Sequence, residues 1–250
     1  MSAIEMQPLP SATGPRRGTP LDAIRAFGIV SGGPVALVLL ELASIVLVVR
    51  ALVDGDTPPW PAMAGVAALT LYLVAFRPWS RRWGTHVGEV HRSLPGDELV
   101  ADPGITMTRA LTIDAPVDSV WPWLAQIGQD RGGFYSYAWL ENLAGCGLKN
   151  ADRVHPEWQH RQVGDTVLLH PCAGPKLARF EPTHSYAFDI GWCFTLEPMP
   201  GGRTRLFARS RVPRGLPSVT YSIFMELPHF IMERKMLLGI KQRAEHVTAP

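Results

Sequence analysis

Two apolar stretches near the N-terminus, Phe27 to Val49 and Trp60 to Phe76, are separated by a short acidic, proline-containing link and followed at once by Arg77, Arg81 and Arg82. At ~1.5 Å per residue the first stretch can cross a ~30 Å hydrocarbon layer, and the second, about 17 residues, reaches the lower limit for doing so. A link this short returns the chain antiparallel, so the sequence predicts a transmembrane helical hairpin over residues 23–83 that carries a further domain. Glu41 lies inside the first span. A lone carboxylate is costly there, so it is expected to face the partner helix or to be protonated. It is either a functional group or a polar residue tolerated at the helix contact.

Basic residues flank the outer ends of the hairpin: Arg16, Arg17 and Arg25 come before it, and Arg77, Arg81, Arg82 and Arg92 after it. The loop carries Asp54 and Asp56, with Arg50 as the dissenting charge. The positive-inside rule then places both termini, and the domain that follows, on the cytoplasmic side of the cytoplasmic membrane. Trp60 at one end of the second span, with Trp79 and Trp83 beyond the other, suits the two interfaces. The rival reading is a cleaved signal peptide with Arg16 and Arg17 as its basic region. The length of the first stretch, Glu41 within it and the lack of a small-x-small site at its end all favour the hairpin.

The chain has 250 residues and a formal net charge of +2, enough length for a hairpin plus one domain and too little charge to imply nucleic acid. Cys146, Cys172 and Cys193 are an odd set without CxxC spacing, which fits a reducing compartment and argues against a disulfide framework or zinc ribbon. Residues 1–22, rich in Pro, Gly and Ser, are expected to be a disordered tail. Residues 84–103 read as a linker, and 104–250 as the soluble domain.

Within that domain Ile105 to Ala115 alternates as a half-buried strand, with Arg109 on the apolar face. Val117 to Ile127 has helical spacing, and Tyr137 to Ala144 suits a second short helix. Strands are predicted at Thr166 to His170 and Leu177 to Glu181. Tyr186, Phe188, Ile190, Trp192, Phe194 and Leu196 share one parity, which reads as a single long strand. Its hairpin partner is Thr204 to Val212. Tyr221 to Glu245 then turns helical with a break or kink at Pro228, and Phe230, Leu237, Ile240 and Ala244 line one face. The class is α+β: a curved antiparallel sheet around a long C-terminal helix.

Three segments carry a family likeness. They are Ile113-Asp114-Ala115-Pro116-Val117-Asp118-Ser119-Val120-Trp121-Pro122-Trp123-Leu124, Arg131-Gly132-Gly133-Phe134-Tyr135-Ser136-Tyr137, and Met232-Glu233-Arg234-Lys235-Met236-Leu237-Leu238-Gly239-Ile240-Lys241. Together with the element order, they resemble the START-like (SRPBCC) superfamily of polyketide cyclases and lipid-transfer proteins, over about residues 100–246. The resemblance implies a helix-grip fold with an apolar cavity between helix and sheet, and a hydrophobic small molecule, lipid or polyketide-like acid as ligand. It implies no particular reaction, because that superfamily mixes transporters, sensors, cyclases and hydrolases.

Several residues are candidates to meet such a ligand. Arg109, a permanent charge on a buried face, needs a carboxylate, a polar ligand or water, so it is either a ligand contact or half of a structural ion pair. Arg131 precedes Gly132-Gly133 at an expected cavity mouth. Tyr135, Tyr137 and Trp139 follow it and offer amphipathic contact area, unless they close the core as an aromatic cluster. Arg203, Arg205, Arg209 and Arg211 share a face that is either solvated or concave. In the second case Arg209 and Arg211 would select anions. Trp192 completes the ligand-binding set.

His155, His160, His170 and His184 with Glu157 lack HExxH spacing, so no metal is expected, and no sequence motif calls for a cofactor. Glu141 with His155 or Tyr135 would suffice as an acid–base pair. The leading expectation is therefore a membrane-tethered binding domain, and the alternative is a cyclase or dehydratase with Arg109, Arg131 and Tyr135 around its substrate.

Overall fold

The computed structural model describes residues 20–143 and 145–248. Of the expected tail, residues 1–22, only the last three fall among them, at the start of the first helix. Helix α1 spans Pro20–Asp54 and α2 spans Trp60–Arg81. Their segments Ala36–Asp54 and Trp60–Arg81, of 19 and 22 residues, are each long and apolar enough to cross a bilayer. Leu37, Leu40, Val46, Leu71 and Val74 point outward and are exposed, the reverse of a helix in a soluble core. The two helices meet through small side chains. Ser44 and Ala62 are buried, and a Cβ on Gly65 would come within 2.7 Å of the Ser44 Oγ. Glu41 faces this contact as expected, and its Oε2 is buried without a hydrogen-bond partner among the described residues.

The remaining elements are β1 (Pro103–Ile113), α3 (Val117–Ala125), α4 (Ala138–Leu143), β2 (Leu177–Glu181), β3 (Ser185–Phe188), β4 (Trp192–Met199), β5 (Arg203–Pro213) and a C-terminal helix α5 over residues 216–248. The five strands form one open antiparallel sheet in the order β1-β5-β4-β3-β2. α5 crosses one face, where Leu237, Ile240 and Ala244 are buried with Ile113, Phe194, Leu196 and Leu206, while Phe230 is buried against Phe76 and Trp79. Much of the space between α5 and the sheet, where the family resemblance implies a cavity, is filled by side chains. Ile113, Ile127, Tyr186, Phe188, Phe194, Leu196, Leu206, Leu237 and Ile240 retain no accessible surface, so none of them borders a space that water can enter.

Several expected boundaries change, each for a physical reason. The single strand expected from Tyr186 to Leu196 is a hairpin, β3 and β4, that turns at Gly191 with φ 78°. Tyr186 pairs with Phe194 across it, so an in-register turn returns same-parity residues to the same face. Parity therefore carries no trace of the turn, whose tip residue Ile190 is 53 % exposed. Thr166 to His170 makes only isolated bridges, Thr166 to Lys176 and His170 to Ala173. Pro171 and Pro175 in the facing stretch have no N–H to extend the ladder.

The helix expected to break at Pro228 instead runs on from Leu216 and widens into a π turn at Tyr221–Met225. α2 does the same at Tyr72–Phe76, ahead of Pro78. A proline ring collides with the carbonyl four residues back, here that of Phe224 or Val74, and each of those lies inside its π turn.

Residues 84–102 are a strap rather than a free linker. They lie on the sheet face opposite α5 and cover Arg205 and Arg209. The Glu89 carboxylate takes Arg205 at 2.6 Å, and Asp97 takes Arg209 at 2.7 Å. The Arg209 guanidinium also donates to the Arg92 carbonyl at 2.7 Å and the Val90 carbonyl at 3.0 Å. Arg205 and Arg209 are thus covered by the strap rather than solvated, whereas Arg203 on the same strand is exposed. Arg211 is half-buried on the same side, 3.4 Å from Asp97. Alternation separates the two faces of a sheet without saying which one the helix covers.

Candidate functional site at the hairpin junction

The most unusual chemistry lies where α2, β1 and α5 converge. Arg109 on β1 is fully buried, and so is Glu233 on α5, at 0 % and 1 % side-chain exposure. Their side chains meet at 2.5 Å, and the Arg109 Nε donates to the Ser80 carbonyl of α2 at 2.8 Å. The second Glu233 oxygen accepts from Trp192 Nε1 at 2.6 Å and lies 3.2 Å from His229 Nε2. His229 Nδ1 is hydrogen-bonded in turn to the Tyr221 hydroxyl. Burial by itself raises the Glu233 carboxyl. The Arg109 charge, the neighbouring His229 and their hydrogen bonds outweigh it and hold the group well below the ordinary carboxylate range.

A second buried carboxylate, Glu226 at 1 % exposure, binds both Arg77 at 3.0 Å and Arg81 at 2.6 Å. Burial raises it too, while the two guanidinium hydrogen bonds bring it below its usual value. Arg77 also donates to Ser222 Oγ at 2.9 Å. Phe230 packs edge-on against Phe76 and Trp79, at 5.7 and 5.4 Å, and under the Arg109 guanidinium at 5.1 Å. The end of the hairpin is therefore joined to the soluble sheet through two buried acid–arginine clusters and an aromatic cluster.

Beside these clusters lies a groove of about 330 Å³, walled by Arg77 and Arg81, by Ile105 of β1, and by Ser218, Val219 and Ile223 of α5. Arg77 and Arg81 keep 27 % and 28 % of their side-chain surface whereas Glu226 keeps 1 %, so the charge presented to the groove is positive. Three guanidiniums (Arg77, Arg81, Arg109) face two carboxylates (Glu226, Glu233) in this neighbourhood. The groove thus combines two guanidiniums with the aliphatic side chains of Ile105, Val219 and Ile223 and the hydroxyls of Ser218 and Ser222.

The residues picked from sequence are distributed differently. Arg109 and Trp192 belong to the junction network, both bound to Glu233. Arg131 is held on a loop, where it donates to the Trp158 carbonyl at 3.0 Å and the His160 carbonyl at 3.2 Å. Tyr135 is 1 % exposed, and its hydroxyl accepts from Gln126 at 2.9 Å and donates to the Trp123 carbonyl at 3.0 Å. Burial raises its pKa. Tyr137 lies under Lys235 at 5.8 Å, and Trp139 is exposed on α4. Arg109, Arg131 and Tyr135 are thus each engaged elsewhere and do not converge on one opening. Arg209 and Arg211 lie across the sheet from α5. Glu233 and Glu226 were not singled out from the sequence. Their signal was present, since Glu226, Phe230, Glu233, Leu237 and Ile240 follow helical spacing and place two carboxylates on an apolar stripe.

Glu141 forms no pair with His155 or Tyr135. His155 bonds Glu157 at 3.0 Å and stacks on Trp158, and the Glu141 Oε2 is buried without a partner among the described residues. Burial pushes the Glu141 carboxyl up to about 7. A carboxyl raised on folding binds more protons in the native than in the unfolded state. Its contribution to stability therefore falls as pH rises from the ordinary glutamate range, about 4.3, to about 7. Glu141→Gln is expected to raise the melting temperature at pH 8 and to leave it unchanged at pH 4. Equal shifts at both pH values would show that Glu141 does not titrate in this way. Burial likewise pushes the Cys146 and Cys193 thiols up to about 11 and about 12, so neither is activated as a nucleophile at neutral pH.

No protein-family model matches the chain, and no curated protein matches it.

Proposed function

We propose that this is a membrane-tethered domain of the START-like, helix-grip type that binds a hydrophobic or amphipathic small molecule, a lipid or a polyketide-like acid, at the bilayer surface. In this reading the ligand sits in the junction groove, outside the packed core, with an acidic head toward Arg77 and Arg81 and an apolar tail along Ile105, Val219 and Ile223. The groove itself carries the proposal, because the Arg77 and Arg81 guanidiniums and the aliphatic side chains of Ile105, Val219 and Ile223 line it together where the hairpin ends. Support for the helix-grip assignment comes from the open antiparallel sheet with a long C-terminal helix across one face. The two apolar helices support the tether. Arg77, Arg81 and Arg82 at one end of the hairpin against Asp54 and Asp56 at the other favour a cytoplasmic domain. Holding the domain at the membrane raises its effective concentration where such a ligand resides.

The test is native mass spectrometry of the full chain released from micelles, with and without Val219→Trp, which fills the groove from an exposed position. A retained acidic amphiphile that is lost in the variant, at an unchanged melting temperature, is the expected result. Retention of the same molecule by both proteins would place the ligand elsewhere, and an empty wild-type protein that also ignores fluorescent fatty acids would end the proposal.

A further inference from the structure

The first four turns of α5 present an apolar face that the sheet does not cover. Leu216, Val219, Ile223 and Ile231 are 74, 53, 40 and 41 % exposed. Between Leu216 and Ile231 there is no lysine or arginine, and the one carboxylate, Glu226, is sealed by Arg77 and Arg81. His229 is turned inward, onto Glu233 and Tyr221. Sixteen consecutive residues therefore offer almost no charge to their surroundings. Beyond them, charge returns. Arg214 is exposed on one side, and Arg234 on the other lies over Trp83 at 5.0 Å.

The position of this face says what covers it. The π turn at Tyr221–Met225 packs against α1, Ser222 is hydrogen-bonded to Arg77, and Phe230 packs on Phe76 and Trp79. The uncharged stretch of α5 is thus fastened to the basic, aromatic end of the hairpin, beside the exposed apolar side chains of α1 and α2. A helix that is apolar on one side, flanked by arginines and fixed at the level where spans leave the hydrocarbon, has the composition of an interfacial helix. Arg234 at one flank suits anionic headgroups, while Arg214 at the other is ion-paired with Asp102 at 3.0 Å. Val219 and Ile223 also wall the groove, so a face lying in lipid would open the groove toward the bilayer.

We infer that Leu216 to Ile231 forms a third membrane contact, which lies in the headgroup–acyl boundary and buries Leu216, Val219, Ile223 and Ile231 in lipid. The inference rests on the tether reading above, and its test separates the two. Nitroxide labels are placed singly at Val219, Ile223 and Ile231 in a full-length Cys172→Ser background, with Leu73 as a hairpin control and Glu181 as an aqueous control. The protein is reconstituted in vesicles of phosphatidylcholine and phosphatidylglycerol. Expected is an oxygen-to-nickel-chelate accessibility ratio at the three sites near that of Leu73 and several-fold above that of Glu181. Ratios matching Glu181 while Leu73 remains in lipid would overturn the third contact and leave the tether intact. A Leu73 label accessible to nickel would overturn both. Labels shielded from oxygen and nickel alike would put protein, such as a second copy of the chain, on this face and overturn the lipid assignment.

Discussion

Glu233→Ala is expected to cost about 3–5 kcal/mol of stability, because it leaves the Arg109 guanidinium buried with no countercharge. Arg109 has no exposed surface, and its neighbours are Met107, Phe230 and the Ser80 carbonyl, none of which can replace a carboxylate. Trp192 and His229 lose their acceptor in the same step. The double substitution Arg109→Met, Glu233→Leu removes both charges and restores apolar volume, so it is expected to recover most of the loss. Thermal unfolding in micelles, followed by tryptophan fluorescence, reads both. A loss under about 1 kcal/mol for Glu233→Ala would mean that water reaches the pair. The pH dependence has a definite sign. The Glu233 pKa is depressed on folding, so its stabilisation is complete above the ordinary glutamate range, near 4.3, and is lost as pH falls further. The wild type should therefore lose stability in acid more steeply than the double variant.

A fragment starting at residue 84 is expected not to fold into a soluble monomer. Removing the hairpin takes away Arg77 and Arg81 and leaves Glu226 without either countercharge. It also removes the Ser80 carbonyl from Arg109, and Phe76 and Trp79 from Phe230. The fragment then exposes the apolar surface around Phe230 and leaves the buried Arg109 guanidinium short of one acceptor, losses that together are large against the marginal stability of a domain. Adding Glu226→Gln and Phe230→Ser to the fragment should improve its solubility, because those changes treat the two exposed defects. Circular dichroism and size exclusion decide the matter. A monomeric fragment with a cooperative transition within a few degrees of the full chain would show that the junction contacts add little. The same contacts distinguish a rigid platform from a domain on a flexible leash. With residues 84–102 strapped to the sheet, the groove is held at a set height relative to the hairpin.

Much of this architecture was legible in the chain. The hairpin followed from the length of two apolar runs and a short acidic link. β1, α3, β2 and β5 followed from the spacing of apolar residues, within a residue or two of their ends. Arg109 stood out because a guanidinium on a buried face must have a partner. The partner went unread, although Glu233 is the matching anomaly, a carboxylate on the apolar stripe of the last helix. Two lone opposite charges on two apolar faces are a pairing signal that spans 124 residues and becomes visible only when both faces are compared. The turn at Gly191 was hidden because same-face parity survives an in-register hairpin. The surroundings of the arginine face stay open in the sequence because alternation does not say which side of a sheet is covered.

By itself, the sequence determined which segments are apolar enough to span a bilayer, the alternation and helical spacing of the soluble elements, and the need of Arg109 for a partner. These are properties of neighbouring residues, set by backbone periodicity and by the cost of burying charge. The tertiary structure alone decided that side chains fill much of the sheet-to-helix interior, that the strap covers Arg205 and Arg209, and that the groove lies at the junction. Those outcomes depend on how side chains remote in the chain share a limited volume, which no local pattern encodes.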